Sequence, residues 1–310
     1  MSSIIGPDRI GIEIKLTSRC NLHCLHCVNR DGGPDGRDLD HDLFIRRLRE
    51  WEVSGEGMRW PIREVRMTGG EPLLNLPGLA AVGFACLEMG IPSGINTNGS
   101  LLTESTAGLL REAGIRVVKI SLDTLNPCRI REIRGENASL DAVLKGIGIA
   151  VRSGFEVIVR FTLTSLNREE LVPCYEYAGE AGAARFQVKP LIQAGRAKEI
   201  GIRLTPCDFR EAVEDLDNRL VPGSVVPEIL CSIPRPIPGL AFKACGSIDK
   251  LYISSGGEVF TCNFLESAPL GSMESDSLAE LFEIRAARAG KRRLGGHLVL
   301  EGCPEYHGRA

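Results

Sequence analysis

The stretch Ile10-Gly11-Ile12-Glu13-Ile14-Lys15-Leu16 alternates apolar residues with small or charged ones. It then runs into Ser18-Arg19-Cys20-Asn21-Leu22-His23-Cys24-Leu25-His26-Cys27. The alternation predicts a half-buried strand, and that strand delivers the chain to three cysteines spaced C-x3-C-x2-C. A loop can hardly hold three thiols closer together. One cation can take two or three of them, and a zinc ion would complete its ligand set with His23. A cubane iron–sulfur cluster can take all three and leave one iron without a protein ligand. A closed cluster only passes electrons, whereas an open iron can bind and activate a second molecule.

Working outward, the strand is the first of a series. Asp40 to Val53 predicts a helix with Leu43, Phe44, Ile45, Leu48 and Trp51 on its apolar face. Ile62 to Met67 reads as a strand that stops at Thr68-Gly69-Gly70-Glu71-Pro72, Leu79 to Met89 as a helix, and Ile91 to Asn96 as a strand ending at Thr97-Asn98-Gly99. Thr103 to Ala113 is a helix capped by Thr103 and closed by Gly114. Arg116 to Leu122 is a strand, Leu140 to Ser153 a helix, Phe155 to Leu163 a strand, Arg168 to Ala181 a helix and Arg185 to Lys189 a strand. Six strands separated by helices imply a parallel sheet. Six units fall short of a closed eight-fold barrel, so a partial (β/α)6 TIM-like barrel in residues 1–204 is expected.

Beyond Pro190 the rhythm fails. Pro222, Pro227, Pro234, Pro236 and Pro238 cannot sit within regular helix, and they read as the connection into a smaller C-terminal unit, residues 205–310. Leu251 to Ser254, the turn Ser255-Gly256-Gly257, and Glu258 to Thr261 predict a β-hairpin, followed by a helix from Leu278 to Ala289.

A chain of 310 residues with 43% hydrophobic and 25% charged residues is composed like an ordinary soluble globular protein. A net charge of −3 without a long basic run does not favour nucleic acid or anionic membrane as partners. No apolar run approaches the roughly 20 residues that cross a bilayer, and the N-terminus lacks a signal-peptide core. A cytoplasmic location is expected. Eleven cysteines in such a compartment argue for metal or cluster ligation over disulfides. Cys86, Cys128, Cys174 and Cys207 are scattered and read as core residues.

In a parallel barrel the ligand site lies at the carboxyl ends of the strands, where the unusual motifs fall. The cysteine triplet, followed by Gly69-Gly70-Glu71-Pro72, resembles the radical SAM superfamily over roughly residues 10–190. The resemblance implies that Cys20, Cys24 and Cys27 hold a [4Fe-4S] cluster whose open iron chelates S-adenosylmethionine. It places the backbone at Gly69, Gly70 and Glu71 against the methionine amino group. Ser121 falls where the family contacts the ribose or carboxylate, Arg134 where an arginine holds the carboxylate, and His26 where a ring lies near adenine. Asn98, Asp123 and Thr97 are supporting residues. The implied activity is reductive cleavage to a 5′-deoxyadenosyl radical that abstracts a hydrogen atom from substrate, with a flavodoxin or ferredoxin as reductant.

Cys245-x11-Gly257-x4-Cys262 resembles the opening half of the C-terminal auxiliary-cluster domains called SPASM and twitch. That implies a second [4Fe-4S] cluster on Cys245, Cys262 and Cys303, with Cys231 as fourth ligand; a structural zinc on the same cysteines is the rival reading. The domain order implies a ribosomally made peptide as substrate. With nineteen residues before Cys20, a peptide would need a detached recognition protein or direct contact with the barrel mouth. The alternative is small-molecule or cofactor biosynthesis by a dehydrogenase or cyclase, and the second alternative a non-catalytic electron-transfer protein. Ser121-Leu122-Asp123-Thr124-Leu125-Asn126-Pro127 is similar to the molybdenum-cofactor GTP cyclase. The chain lacks that enzyme's C-x2-C-x13-C tail triplet and ends Gly308-Arg309-Ala310, so that specific function is not expected. Lys189 and Arg160, near strand ends, are candidates to contact substrate or the methionine carboxylate; no catalytic acid, base or radical residue is assigned.

Overall fold

Side-chain alternation sorts the strands into two faces. In β1 (Ile10–Thr17) the residues Ile10, Ile12, Ile14 and Leu16 are fully or almost fully buried. In register beside them lie Val65 and Met67 of β2 (Ile62–Gly69), Ile95 of β3 (Ser93–Thr97) and Val118 of β4 (Ile115–Ser121). These residues belong to one core shared with helices α1 (His41–Val53), α2 (Leu76–Glu88) and α3 (Glu104–Glu112). The other face of the same strands is polar. Register places Glu13, Arg66 and Gly94 in one row, Asn96 and Lys119 in a second, and Ser121, Arg160, Gln187 and Glu228 in a third. A parallel sheet with one apolar face under helices and one polar face turned inward is a barrel wall around a polar lumen.

The molecule is seen in a computed structural model that describes residues 10–28, 36–54, 61–221, 223–230, 240–242, 250–262 and 269–290. β1 to β4 are followed by α4 (Arg129–Arg134), α5 (Leu140–Arg152), β5 (Glu156–Leu163), α6 (Leu171–Glu180) and β6 (Arg185–Pro190). The six strands pair in chain order, all parallel, as the strand–helix rhythm predicts.

The sheet does not stop there. After α7 (Arg196–Ile200) and α8 (Pro206–Asn218), strands β7 (Val226–Ile229) and β8 (Ala241–Phe242) continue it in parallel beyond β6. Strands β9 (Lys250–Ile253), β10 (Glu258–Phe260) and β11 (Gly271–Ser272) extend the opposite edge, with β9 parallel to β1 and the other two antiparallel. Helix α9 (Leu278–Gly290) packs near α1, where Phe282 meets Trp51 edge-to-face at 6.3 Å. The proline-rich stretch concealed β7, four residues long with Pro227 inside it. α8 was legible in retrospect from Thr205 and Asp208, which form a capping box with Pro206 in the first turn. α2 starts at Leu76, earlier than its apolar pattern suggests, because Asn75 caps Gly78 N at 3.1 Å and Pro77 fits the first turn.

Of the scattered cysteines, Cys86 and Cys174 are core residues, whereas Cys128 and Cys207 are exposed, the latter on the solvent side of α8. No helix among the described residues is long and apolar enough to cross a membrane.

The turn after β2 makes the tightest backbone contact of the barrel rim. Gly70 N donates to Thr17 O and Glu71 N to Arg19 O, both at 2.8 Å. A Cβ on Gly70 would lie 2.1 Å from Arg19 O, and one on Gly69 2.4 Å from Thr17 O. The glycines are thus required by the chain leaving β1, in addition to any room they leave for a ligand. Gly70→Ala is expected to cost about 1–3 kcal/mol through overpacking. Gly108→Ala, in the middle of α3 with nothing within 4 Å of the added Cβ, is expected to gain about 1 kcal/mol. Chemical denaturation of the two variants checks both signs.

Candidate active site

The triplet loop is held at both ends. At its start, Ser18 N donates to Arg37 O at 2.9 Å, and Arg19 reaches Asp38 through two bonds and Leu74 O at 3.1 Å. The middle of the loop lies on the C-terminus of α4, whose free carbonyls at Arg134 and Ile133 accept from His23 N at 3.0 Å and Leu25 N at 2.8 Å. The end is met by the segment after β6: Arg196 N donates to Cys27 O at 3.1 Å. There Gly195 has φ +56°, and a Cβ would sit 2.4 Å from Cys27 O, so glycine answers both a left-handed conformation and a close approach.

Cys20, Cys24 and Cys27 line one cavity of about 220 Å³ together with His26, Gly69, Gly70, Asn98, Ser121 and Arg134. Burial pushes the Cys20 thiol up to about 11 and the Cys24 thiol to about 12. Such thiols stay protonated until a metal displaces the proton. Among the described residues no three His, Cys, Asp or Glu side chains converge on a single cation point. Three thiols facing one cavity suit a cubane, whose iron corners take one thiolate each.

Glu71 does not line the cavity. Its fully buried carboxylate accepts from Thr97 Oγ1 at 2.6 Å, Leu73 N at 3.1 Å and Asn98 N at 2.8 Å. Burial still pushes this carboxyl up to about 7 against those hydrogen bonds. Asn98 in turn donates to Asn21 Oδ1 at 2.9 Å and accepts from Ser100. The exit of β3 is thereby tied to the cysteine loop.

Asp123 is also removed from the cavity. It accepts from Arg134 Nε at 2.9 Å and Nη2 at 2.6 Å, and from Thr162 N at 2.9 Å. Burial works against this carboxylate, yet Arg134 with His26 holds it below the usual range. His26 Nε2 stands 3.7 Å from it, with burial pushing the imidazole down. Arg134 is 1% exposed and lines the cavity, and its Nη1 finds no acceptor among the described residues. A buried guanidinium with one free N–H beside three thiols fits a ligand that brings a carboxylate. The residues present therefore fit both an iron–sulfur cluster and S-adenosylmethionine.

Several lining residues escaped the sequence reading: Glu13, Thr68, Asn96, Thr162 and Arg196, besides the apolar Leu191 and Ile192. The first four were visible as the polar half of strand alternation, a signal that marks a lumen as readily as solvent. Lys189 and Arg160 do line the cavity. Cys262 lies just past β10, which runs antiparallel to β9, so it emerges at the end of the strands opposite the triplet. Cys231, Cys245 and Cys303 lie outside the described residues.

Residues 14–178 match the family model described as the radical SAM superfamily. The chain is 30% identical over 289 residues to a GTP 3′,8-cyclase of Acidothermus cellulolyticus, covering 84% of this chain and 75% of that protein. It is 29% identical over 294 residues to an AdoMet-dependent heme synthase of Methanosarcina barkeri, with 88% and 81% covered. The structure of Streptococcus suis SuiB bound to the precursor peptide SuiA superposes with a TM-score of 0.71 at 18% identity, over 88% of this chain and 64% of that one. At that identity the likeness concerns the fold.

Two outcomes follow from the buried carboxylates. Asp123→Asn leaves Arg134 charged and uncompensated and is expected to cost about 3–5 kcal/mol; adding Arg134→Met recovers most of it, and a double-mutant cycle by denaturation reads the coupling. Glu71 sits at about 7 when folded against an ordinary 4.5, so the folded chain binds its proton more tightly. Stability then falls as pH rises from about 4.5 to 7, by up to about 3 kcal/mol. Glu71→Gln is expected to remove that slope in denaturation series across this window.

Proposed function

Because the chain belongs to the radical SAM superfamily, we propose that it abstracts a hydrogen atom from a small molecule in a reaction of the kind met in cofactor biosynthesis. The observation that carries this reading is the pair of relatives that span over four-fifths of the chain at about 30% identity, a GTP 3′,8-cyclase and an AdoMet-dependent heme synthase. They favour the small-molecule alternative over the peptide substrate expected first, since the peptide-bound neighbour shares the fold alone. A non-catalytic electron carrier has no use for the shelf formed by Gly69, Gly70, Ser121 and Arg134.

When bound, the cluster and S-adenosylmethionine supply a 5′-deoxyadenosyl radical by one-electron reduction. The protein's part is positional. Cys20, Cys24 and Cys27 fix the cluster at the exit of β1. Arg134, aligned by Asp123, offers Nη1 to the methionine carboxylate, and the backbone at Gly69 and Gly70 faces the amino group. Asn98 and Ser121 close the side toward β3 and β4, with His26 beside the adenine. Leu22, Val28, Leu191 and Ile192 give the cavity apolar walls that exclude water. In this reading residues 205–310 form a twitch-type unit in which Cys231, Cys245, Cys262 and Cys303 hold a second [4Fe-4S] cluster. A flavodoxin or ferredoxin in the cytoplasm delivers the electron.

The test is anaerobic reconstitution followed by chromatography of 5′-deoxyadenosine. With dithionite and S-adenosylmethionine the wild type is expected to form it and Cys24→Ala to form none; iron content is expected at about eight per chain. Formation is expected to rise at least tenfold with GTP or with the low-molecular-mass fraction of a cell extract. Stimulation by the peptide fraction alone would overturn the small-molecule reading, and undiminished turnover in Cys24→Ala would overturn the assignment of the triplet.

A further inference from the structure

Below the thiols, the barrel lumen holds more cationic donors than it pairs. Arg66 is 6% exposed and spends Nη2 on Glu64, while its Nε and Nη1 find no acceptor among the described residues. Its guanidinium lies over Gly94, where a Cβ would come within 2.2 Å of Nη1. A side chain at that position would fill the space the arginine uses. Arg160 donates from Nη2 to Gln187 Oε1 at 3.2 Å, and its Nε is likewise buried without an acceptor. Lys119 reaches the same space from β4: burial, then the charges of Arg66 and Arg160, push its ammonium down to about 6. Two carboxylates attend the group. Glu64, though half-buried, is held at about 2 by Arg66, Lys119 and Lys250, and Glu13 stands 4.0 Å from Lys250. Arg160 and Glu13 also line the cavity of the cysteines, so the cation cluster borders that cavity through Arg160.

Buried N–H groups without acceptors, next to a lysine kept from its charge, raise the free energy of the empty protein. An oxyanion would relieve all of it at once. Its lone pairs can accept from Arg66 Nε and Nη1 and from Arg160 Nε, and its charge lets Lys119 keep its proton.

We propose that Arg66, Lys119 and Arg160 form an anion site in the lumen that holds a phosphate or carboxylate group of the substrate, leaving the rest of the molecule to reach the cavity beside the cysteines. The inference rests on the small-molecule reading of the function and narrows it to anionic substrates. Storing like charges in a barrel is a cost to stability that binding explains and packing does not.

The experiment is isothermal titration of the reconstituted protein, without reductant, against inorganic phosphate and separately against malonate. Saturable one-to-one binding of either is expected, and which one saturates separates a phosphate from a carboxylate ligand. Lys119→Met and Arg160→Gln are expected to weaken it tenfold or more, while Lys198→Gln, on the exposed side of α7, binds as the wild type does. Lys119→Met is also expected to melt a few degrees higher, because an apolar side chain replaces a half-buried amine that its surroundings keep from its charge. A lysine with a merely structural role would move melting the other way. Saturation by neither anion, or undiminished binding in Lys119→Met, would overturn the proposal. Titration needs no turnover, so its failure leaves the 5′-deoxyadenosine result standing, and the reverse holds as well.

Discussion

One buried carboxylate organises the rim of this barrel. Through its backbone N–H, Glu71 is bonded to Arg19 O at the exit of β1, and through its side chain to Thr97 and Asn98 at the exit of β3. It sits itself at the exit of β2. Three consecutive strand ends are therefore fixed to one residue, with no water to compete for its oxygens. The glycines before it allow the backbones to meet, and the cysteine loop begins at the very carbonyls they contact. In a radical SAM enzyme, where three thiols must meet a cluster at set positions, such rigidity belongs in the scaffold rather than the loop.

A second buried pair does the same on the other side. Asp123 and Arg134 bring the ends of β4 and β5 together with α4, and α4 carries the middle of the cysteine loop on its last carbonyls. The cavity is thus bounded by two polar nodes whose charged members face inward to each other. Only the surplus N–H of Arg134 is left over for a ligand. The side chains of Glu71 and Asp123 do not line the cavity; they hold Thr97, Asn98 and Arg134, which do.

That division marks how far the sequence could be read. The order of six parallel strands was legible because Ile10, Ile12, Ile14 and Leu16 keep strict period two, and because helices such as α1 and α3 announce themselves with Asp40 and Thr103 caps. The triplet and the glycine pair were legible because few physical settings want them. Side-chain direction was not: nothing in Gly-Gly-Glu-Pro tells whether the carboxylate faces a ligand or the neighbouring strand. The polar lumen was hidden for a related reason. Lys119 and Arg160 alternate with apolar neighbours as solvent-facing residues do, and only the register of β4 against β5 shows that both point into the barrel. Strands β7 and β8 were missed because four residues with a proline, or two residues alone, carry no period.

The sheet is completed at both edges by the last third of the chain, with β7 and β8 on one side and β9 to β11 on the other. Lys250 pairs with Gly11, and Ile253 with Ile14. The first strand made is therefore among the last to acquire its second neighbour. During synthesis β1 can pair with β2 early, but its outer edge stays open until Lys250 to Ile253 have emerged, a contact of high sequence separation that closes slowly. The segments that hold the triplet loop, up to Arg196, all precede that strand in the chain. Maturation thus has a natural order, in which the rim is formed first and the flank is sealed afterwards.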